Sequence, residues 1–272
     1  MSADEQALAL LTRHGKAAVL GPVAEELGLT LRLVDDFDTD SLGTFTLEQP
    51  RQGSQFEAAL TKARLACERS GCRWGLGSEG SFGPDPYMGQ APWGVELLVL
   101  HDARTNSQVH AVAQGPATAY RQASVASLEA VLAFASEMGF PAQGLIVGRS
   151  HEPWFHKELR DLEALRAQVA PALAQGEVWL ETDMRAHRNP ARMAMIAQAG
   201  QALVQRLRER CPRCEARGWG PVGLITGARC ECCGHATSAA RAQRLRCPVC
   251  SHEAEQVLRE TVPAARCELC NP

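Results

Sequence analysis

Long apolar runs are missing from this 272-residue chain: the longest, such as residues 94–100, fall far short of the roughly 20 residues that cross a bilayer. A strong excess of either charge is missing too. The formal net charge is −3, so no global basic field draws the chain onto nucleic acid or an anionic membrane, and any such binding must be local. The opening segment MSADEQALALLTRHGK has no basic n-region and no cleavage site, which is not how a secretory signal begins, and the chain reads as cytoplasmic. GxSxG, Walker and HExxH motifs are all absent, which removes support for a serine hydrolase, a P-loop NTPase or a zincin. Disorder is not expected either, because 45% of the residues are hydrophobic and the length suits one large or two ordinary domains.

Cysteine, by contrast, is plentiful and clustered. Of eleven cysteines, nine follow position 210 and eight of these form four CxxC pairs: Cys211/Cys214, Cys230/Cys233, Cys247/Cys250 and Cys267/Cys270. In a reducing compartment that pattern means metal. Two thiolates on one tight turn reach a zinc ion at about 2.3 Å, and two such turns complete a tetrahedron. The gaps between first and second pairs and between third and fourth repeat the zinc-ribbon spacing, so sequential pairing into two ribbons is expected over residues 210–272. A cross-braced arrangement, first pair with third and second with fourth, is the alternative. Gly234 after Cys233 suits a knuckle with a permissive backbone, and Cys232 is left spare. Four thiolates leave no open position for water, so the zinc (Zn) would be structural. Arginines recur from position 206 to 246 and invite RNA binding, but neighbouring glutamates and the charge of about −2 on each four-thiolate centre balance them. Docking to a protein is the blander reading.

Residues 1–209 alternate β-like and helical stretches, as in an α/β domain with a mixed sheet. Strands are expected at 7–12, 31–34, 73–76, 95–101, 108–112, 144–147 and 177–181. Helices are expected at 23–29, 55–70, 124–138, 155–174 and from about 190 to 210, with Pro22 in the first turn of its helix. The glycines and prolines of GSEGSFGPDPYMG predict a loop.

Residues Thr12 to Lys16 stand where a strand ends and a helix begins, a place that suits an anion. Lys16 there reaches a phosphate as a point charge; a surface lysine at a turn is the bland alternative. Asp38 and Asp40 lie in an acidic loop with enough oxygens for magnesium (Mg), or simply a solvated one. Glu57 and Lys62 share a helix, and Glu79 sits beside glycines that admit substrate, placed to bind metal or activate water. In ETDMRAHRNPARM, strand alternation puts Glu181 and Asp183 on one face. Arg185 and Arg192 there could clamp a phosphate or carboxylate, against a buried Asp–Arg structural pair. Asn189 and Pro190 read as a helix cap and first helical residue. His14, His101, His151 and His156 show no readable partner spacing, and Cys67 and Cys72 read as small buried hydrophobes.

Through HGK at 14–16, FDTDSLGTF at 37–45, SEGSFGP at 78–84, ETDMRA at 181–186, NPARM at 189–193 and the terminal CxxCNP, nearly the whole chain resembles an uncharacterised bacterial family, domain of unknown function 6671. That resemblance implies no activity. The run from Glu57 to Ala63 is also similar to the E-N-A-x-x-K-A helix of the inosine triphosphate pyrophosphatase superfamily, within the first 115 residues. GSEGSFG followed by GVELLVLHD looks like that group's acid-glycine loop and next strand. The Thr-to-Lys turn is one residue shorter than in that group and has no asparagine, and Ser78-Glu79 replaces its acidic pair. The resemblance implies that Lys16 and Lys62 hold a triphosphate, Glu57 binds magnesium, and Glu79 binds magnesium or activates water. The combined expectation is an α/β domain that binds or hydrolyses a phosphorylated small molecule, foremost a nucleoside triphosphate with magnesium, fused to a double zinc ribbon. Its rival is a non-enzymatic adaptor that binds RNA or a protein through the ribbons.

Overall fold

The computed structural model describes residues 3–35, 53–86, 89–149 and 154–271. The chain divides into two compact units, one of residues 1–104 and 110–202, the other of residues 105–109 and 203–272.

The first unit opens with β1 (Ala7–Leu11), α1 (Ala17–Glu26), β2 (Thr30–Val34), α2 (Gln55–Ser70), β3 (Trp74–Pro84), β4 (Pro92–Asp102) and β5 (Ser107–Pro116). These strands form one sheet of order β2-β1-β3-β4-β5. β1 is buried along its whole length and pairs in parallel with β2 and β3, as a strand covered on both faces should. The chain runs outward from β1 to β2 and then back past β1 to β3; the right-handed rule for parallel crossovers then puts α1 and α2 on opposite faces. The helix α1 starts five residues before Pro22, not at it, so that proline lies inside the helix rather than in its first turn.

α2 has the boundaries its sequence signals dictate. Ser54 and Glu57 close a capping box at its start, and Gly71 takes a left-handed conformation at its end. Its alanines make a flat face that packs on β3. A Cβ at Gly75 or Gly77 would lie inside the carbonyls of Ala63 and Ala59. That close approach corrects the reading of GSEGSFG as a loop: residues 74–84 are one strand, paired in register with β4 from Trp74↔Asp102 to Pro84↔Pro92. The glycines serve close packing, not turning.

A second sheet in the same unit contains β6 (Gln122–Val125), β7 (Leu145–Gly148), β8 (Phe155–His156) and β9 (Val178–Thr182), in the order β6-β9-β7-β8 and antiparallel throughout. The helices α3 (Leu128–Met138) and α4 (Leu162–Leu173) cover it through Val131, Phe134, Leu165 and Val169, packed with Leu145, Val147, Val178 and Leu180. α4 begins later than the expected 155 because the Asp161 carboxylate caps it, accepting the Ala164 N–H at 2.8 Å. α5 (Pro190–Arg208) follows, its start fixed by Asn189 Oδ1 accepting the Arg192 N–H at 2.9 Å.

The second unit carries β10 (Gly220–Thr226), β11 (Arg229–Cys230), β12 (Ala240–Arg246), β13 (Glu253–Val257) and β14 (Thr261–Val262). β10, β12 and β13 form an antiparallel sheet, while β11 and β14 pair in parallel. Among the described residues no helix is long and apolar enough to cross a membrane.

Candidate functional site

Because β1 stops at Leu11 while β3 continues to Pro84, the edge of β3 beyond Leu76 has no β1 partner. The strand order reverses at this point, and ligands of open α/β sheets sit in such a crevice outside the carboxyl ends of the strands. A cavity of about 150 Å³ opens here, lined by Lys16 of the β1–α1 turn, Lys62 of α2, Ser78 and Glu79 of β3, and Asp183, Arg185 and Arg192 from the segment after β9. Two motifs distant in sequence, HGK and ETDMRAHRNPARM, therefore converge on one place.

Three ion pairs set its electrostatics. Lys62 pairs with Glu79, both nearly buried. Arg192 Nε lies 2.5 Å from Glu96 Oε1, at 3% and 0% side-chain exposure, and its guanidinium also donates to the Met184 carbonyl. The Arg185 guanidinium grips Asp183 through both carboxylate oxygens, with Nη2 at 2.7 Å from Oδ2, and reaches Glu158 at 2.6 Å. Gly80 leaves room for the Arg192–Glu96 pair, since a Cβ there would overlap both partners.

Lys16 is different. Its ammonium donates to Ser78 O at 3.2 Å and Ser78 Oγ at 3.1 Å, and among the described residues it has no carboxylate partner. Burial, then the neighbouring Arg192 guanidinium, lowers it from 10.5 to about 7. The same burial holds His14 down to about 3, with Lys16 and His187 adding to the effect. His14 and His187 rings lie 5.2 Å apart. On the opposite wall burial raises the Glu181 carboxyl, which accepts from Trp179 Nε1 at 3.2 Å and Gln122 Nε2 at 3.3 Å. Six cationic side chains line the cavity (Lys16, Lys62, Arg121, Lys157, Arg185 and Arg192) against three carboxylates, and Glu96, Glu158 and Glu137 pair with Arg192, Arg185 and Arg121 from outside the lining, so the charge is close to balanced and Lys16, held by Ser78, is where an anion would gain most.

The cysteines form a second constellation. The four-thiol groups are Cys211, Cys214, Cys247, Cys250 and Cys230, Cys233, Cys267, Cys270, each with its sulfurs within 4.8 Å of one another. This corrects the expected sequential pairing: the arrangement is cross-braced. The sheet dictates it, because β10 runs antiparallel to β12 with Gly220 opposite Arg246, bringing the knuckle before β10 to the knuckle after β12. β11 beside β14 does the same for the other two. Sulfur separations are 3.7 Å for Cys211–Cys250, 3.6 Å for Cys214–Cys247, 3.8 Å for Cys230–Cys270 and 3.7 Å for Cys233–Cys267. A tetrahedron with Zn–S of about 2.3 Å has S–S edges of about 3.8 Å. The two groups are compatible with two zinc sites. Left-handed residues follow three of the knuckles: Glu215, Gly234 and Ser251 at φ 58, 72 and 56°.

The stretch 62–272 matches the family described as a domain of unknown function (DUF6671). The chain belongs to this family. The family match spans Lys62, β3, the segment after β9 and all eight paired cysteines, while Lys16 and the β1–α1 turn lie outside it. Neither the curated proteins nor the solved structures gave a match.

Of the residues singled out by sequence, Lys16, Lys62, Glu79, Arg185 and Arg192 share the cavity. Glu57 does not line it; its carboxylate is spent on the α2 cap, accepting Ser54 N at 2.8 Å and Ser54 Oγ at 2.9 Å. Asp38, Asp40 and His151 lie outside the described residues. Glu79 stands within β3 rather than in a glycine-rich loop. Sequence reading passed over Glu96, although a lone acid within the apolar run GVELLVL is a signal of a buried charge with a partner. Arg121, Gln122 and Lys157 gave no local signal and reach the cavity only through the second sheet.

Proposed function

We propose that the α/β unit binds a phosphorylated small molecule in this cavity, with an anionic group held at Lys16. One observation carries the reading: a buried lysine with, among the described residues, no carboxylate partner faces the cavity. An unpaired buried charge persists in folded proteins when a ligand completes it. A phosphate dianion would restore the ammonium form of Lys16, and Arg185 and Arg192 offer planar donors beside it.

The finer reading is hydrolysis of a nucleoside triphosphate with magnesium. It draws support from the placing of Lys16, Lys62 and Glu79 around one cavity, with Glu79 positioned to orient water or a metal once Lys62 turns to the phosphate. The adaptor reading draws less: in the zinc unit, Arg241 bonds Glu255 at 3.2 Å, Arg246 faces Glu253 at 3.6 Å and Arg244 lies opposite Glu255, so these arginines are matched across the sheet.

Titration calorimetry with inorganic pyrophosphate, followed by phosphate release from a nucleoside triphosphate panel with magnesium, tests both levels. Lys16→Ala should weaken pyrophosphate about 10- to 100-fold, the value of a charged hydrogen bond. Wild-type affinity should fall as pH rises through about 7, where free Lys16 loses its proton. Equal affinity in the variant would sink the reading. Magnesium-dependent release lost in Glu79→Ala supports the hydrolase level; its absence for every nucleotide leaves binding alone.

A further inference from the structure

Ser78 stands in the same cavity, and no motif in the sequence marks it. We propose that Ser78 and Lys16 are a nucleophile and its general base, and that the cavity hydrolyses an ester or amide carrying an anionic group through an acyl-serine intermediate. The inference keeps from the anion-binding reading only that the cavity takes an anion: here the substrate's charge lies at Arg185 and Arg192, which leaves Lys16 unprotonated as the base, and the reacting bond and the nucleophile are new.

The geometry is that of a serine–lysine dyad. Lys16 Nζ is 3.1 Å from Ser78 Oγ, within the reach a proton transfer requires. Both side chains are buried yet line the cavity. Ser78 lies two residues beyond Leu76, the last residue of β3 that pairs with β1, so the strand edge on which Lys16 meets its carbonyl has no β1 partner. Gly80, on the same face of β3 as Ser78, leaves space that a Cβ would take from Glu96 and Arg192. The groups that act on Lys16 come from each neighbouring element: Arg192 of α5 and Lys62 of α2 as cations, Glu96 of β4 and Glu79 of β3 as carboxylates, and His14 from its own turn. The cations and burial outweigh the acids and bring the amine to about 7, so that near neutral pH a large fraction is the free base. A lysine locked to a carboxylate would stay protonated and could not serve.

The reaction balances with water alone. Ser78 Oγ adds to the carbonyl carbon while its proton passes to Lys16 Nζ. The tetrahedral adduct collapses, the C–O or C–N bond breaks, and the leaving alcohol or amine takes that proton from Lys16. Water then attacks the acyl-serine, giving its proton to Lys16, and the acid departs as Ser78 Oγ recovers a proton from the lysine. Arg185 and Arg192, at the cavity wall, hold the anionic end of the substrate.

The test is labelling of the zinc-loaded full chain with a fluorophosphonate, located by peptide mass spectrometry, beside calorimetry with inorganic phosphate. We expect one label on Ser78, absent in Ser78→Ala, at a rate that climbs with pH and levels off above about 7. Lys16→Arg, which keeps the charge and a donor but cannot accept a proton, should slow labelling at least 100-fold, the lower bound for a general base. It should also retain phosphate binding, which a purely structural role for Lys16 does not predict to separate from labelling; Lys16→Met should lose both. No label on Ser78, or a label indifferent to both lysine variants, overturns the dyad. Phosphate binding that survives in Ser78→Ala while wild type takes no label sinks the dyad and leaves the anion site standing, whereas labelling without phosphate binding does the reverse.

Discussion

Burial and the Arg192 guanidinium lower Lys16 from 10.5 to about 7, so below neutral pH the folded chain holds a charge that the unfolded chain would hydrate freely. The sign follows from proton counting. Below pH 7 both states are protonated and the folded state carries the full penalty, on the order of 4–5 kcal/mol as an upper bound. Between about 7 and 10.5 the unfolded state binds more protons than the folded state, so stability rises with pH. Replacing Lys16 by Met should therefore stabilise the protein, raising Tm by several degrees at pH 6 and by clearly less at pH 9. Thermal melts at the two pH values check this, and a lower Tm at pH 6 would show that the lysine is not strained in its site. Residues of this kind were legible where a motif concentrated them. Lys16 in HGK and Arg185 and Arg192 in ETDMRAHRNPARM stood out as polar clusters between apolar runs. Ser78 did not, because a serine among glycines looks like a loop residue until the lysine 62 positions away is seen to reach it.

Elements were legible in proportion to how local their signals are. α2 is bounded by a serine–glutamate capping box and a left-handed glycine, and both can be read from neighbouring residues. β3 was legible only at its start, over residues 74–76, because Gly77 and Gly80 answer to partners far away in sequence: the alanine face of α2 and the Arg192–Glu96 pair. The glycines of this one strand should therefore differ sharply in tolerance. Gly77→Ala forces a methyl into the Ala59 carbonyl of α2, where backbone rather than a flexible side chain would have to yield. Overpacking of this kind typically costs about 1–3 kcal/mol and here should reach at least the top of that range. Gly83→Ala, six residues further along the same strand, meets nothing within 4 Å and should be close to neutral. Chemical denaturation of both variants decides it, since two equal losses would mean that strand propensity and not helix contact sets the need for glycine.

At the scale of the whole molecule, the cysteine spacing announced the metal chemistry but could not choose how the knuckles pair, because every knuckle is alike within the chain and only the order of β10, β12 and β13 distinguishes them. A unit with so little apolar core would draw its folding energy from zinc held at the two four-thiol groups, with apparent values of about 10–16 kcal/mol per structural zinc in small modules at neutral pH. Two zinc ions per chain are expected on this count, and their removal by a chelator should unfold residues 203–272. Pairing itself can be tested by deleting one complete set of ligands. Changing Cys230, Cys233, Cys267 and Cys270 together to Ser removes the second and fourth knuckles. In the cross-braced arrangement this destroys one site and leaves Cys211, Cys214, Cys247 and Cys250 whole. In sequential ribbons it would strip half the ligands from both sites and leave no complete tetrahedron. Cobalt substitution reads the difference, since a four-thiolate cobalt centre has a strong visible absorption that depends on tetrahedral geometry. We expect the quadruple variant to keep one cobalt with the four-thiolate spectrum, and the wild type to hold two. Loss of that spectrum from a variant that still folds in its first unit would overturn the cross-brace and restore the sequential pairing.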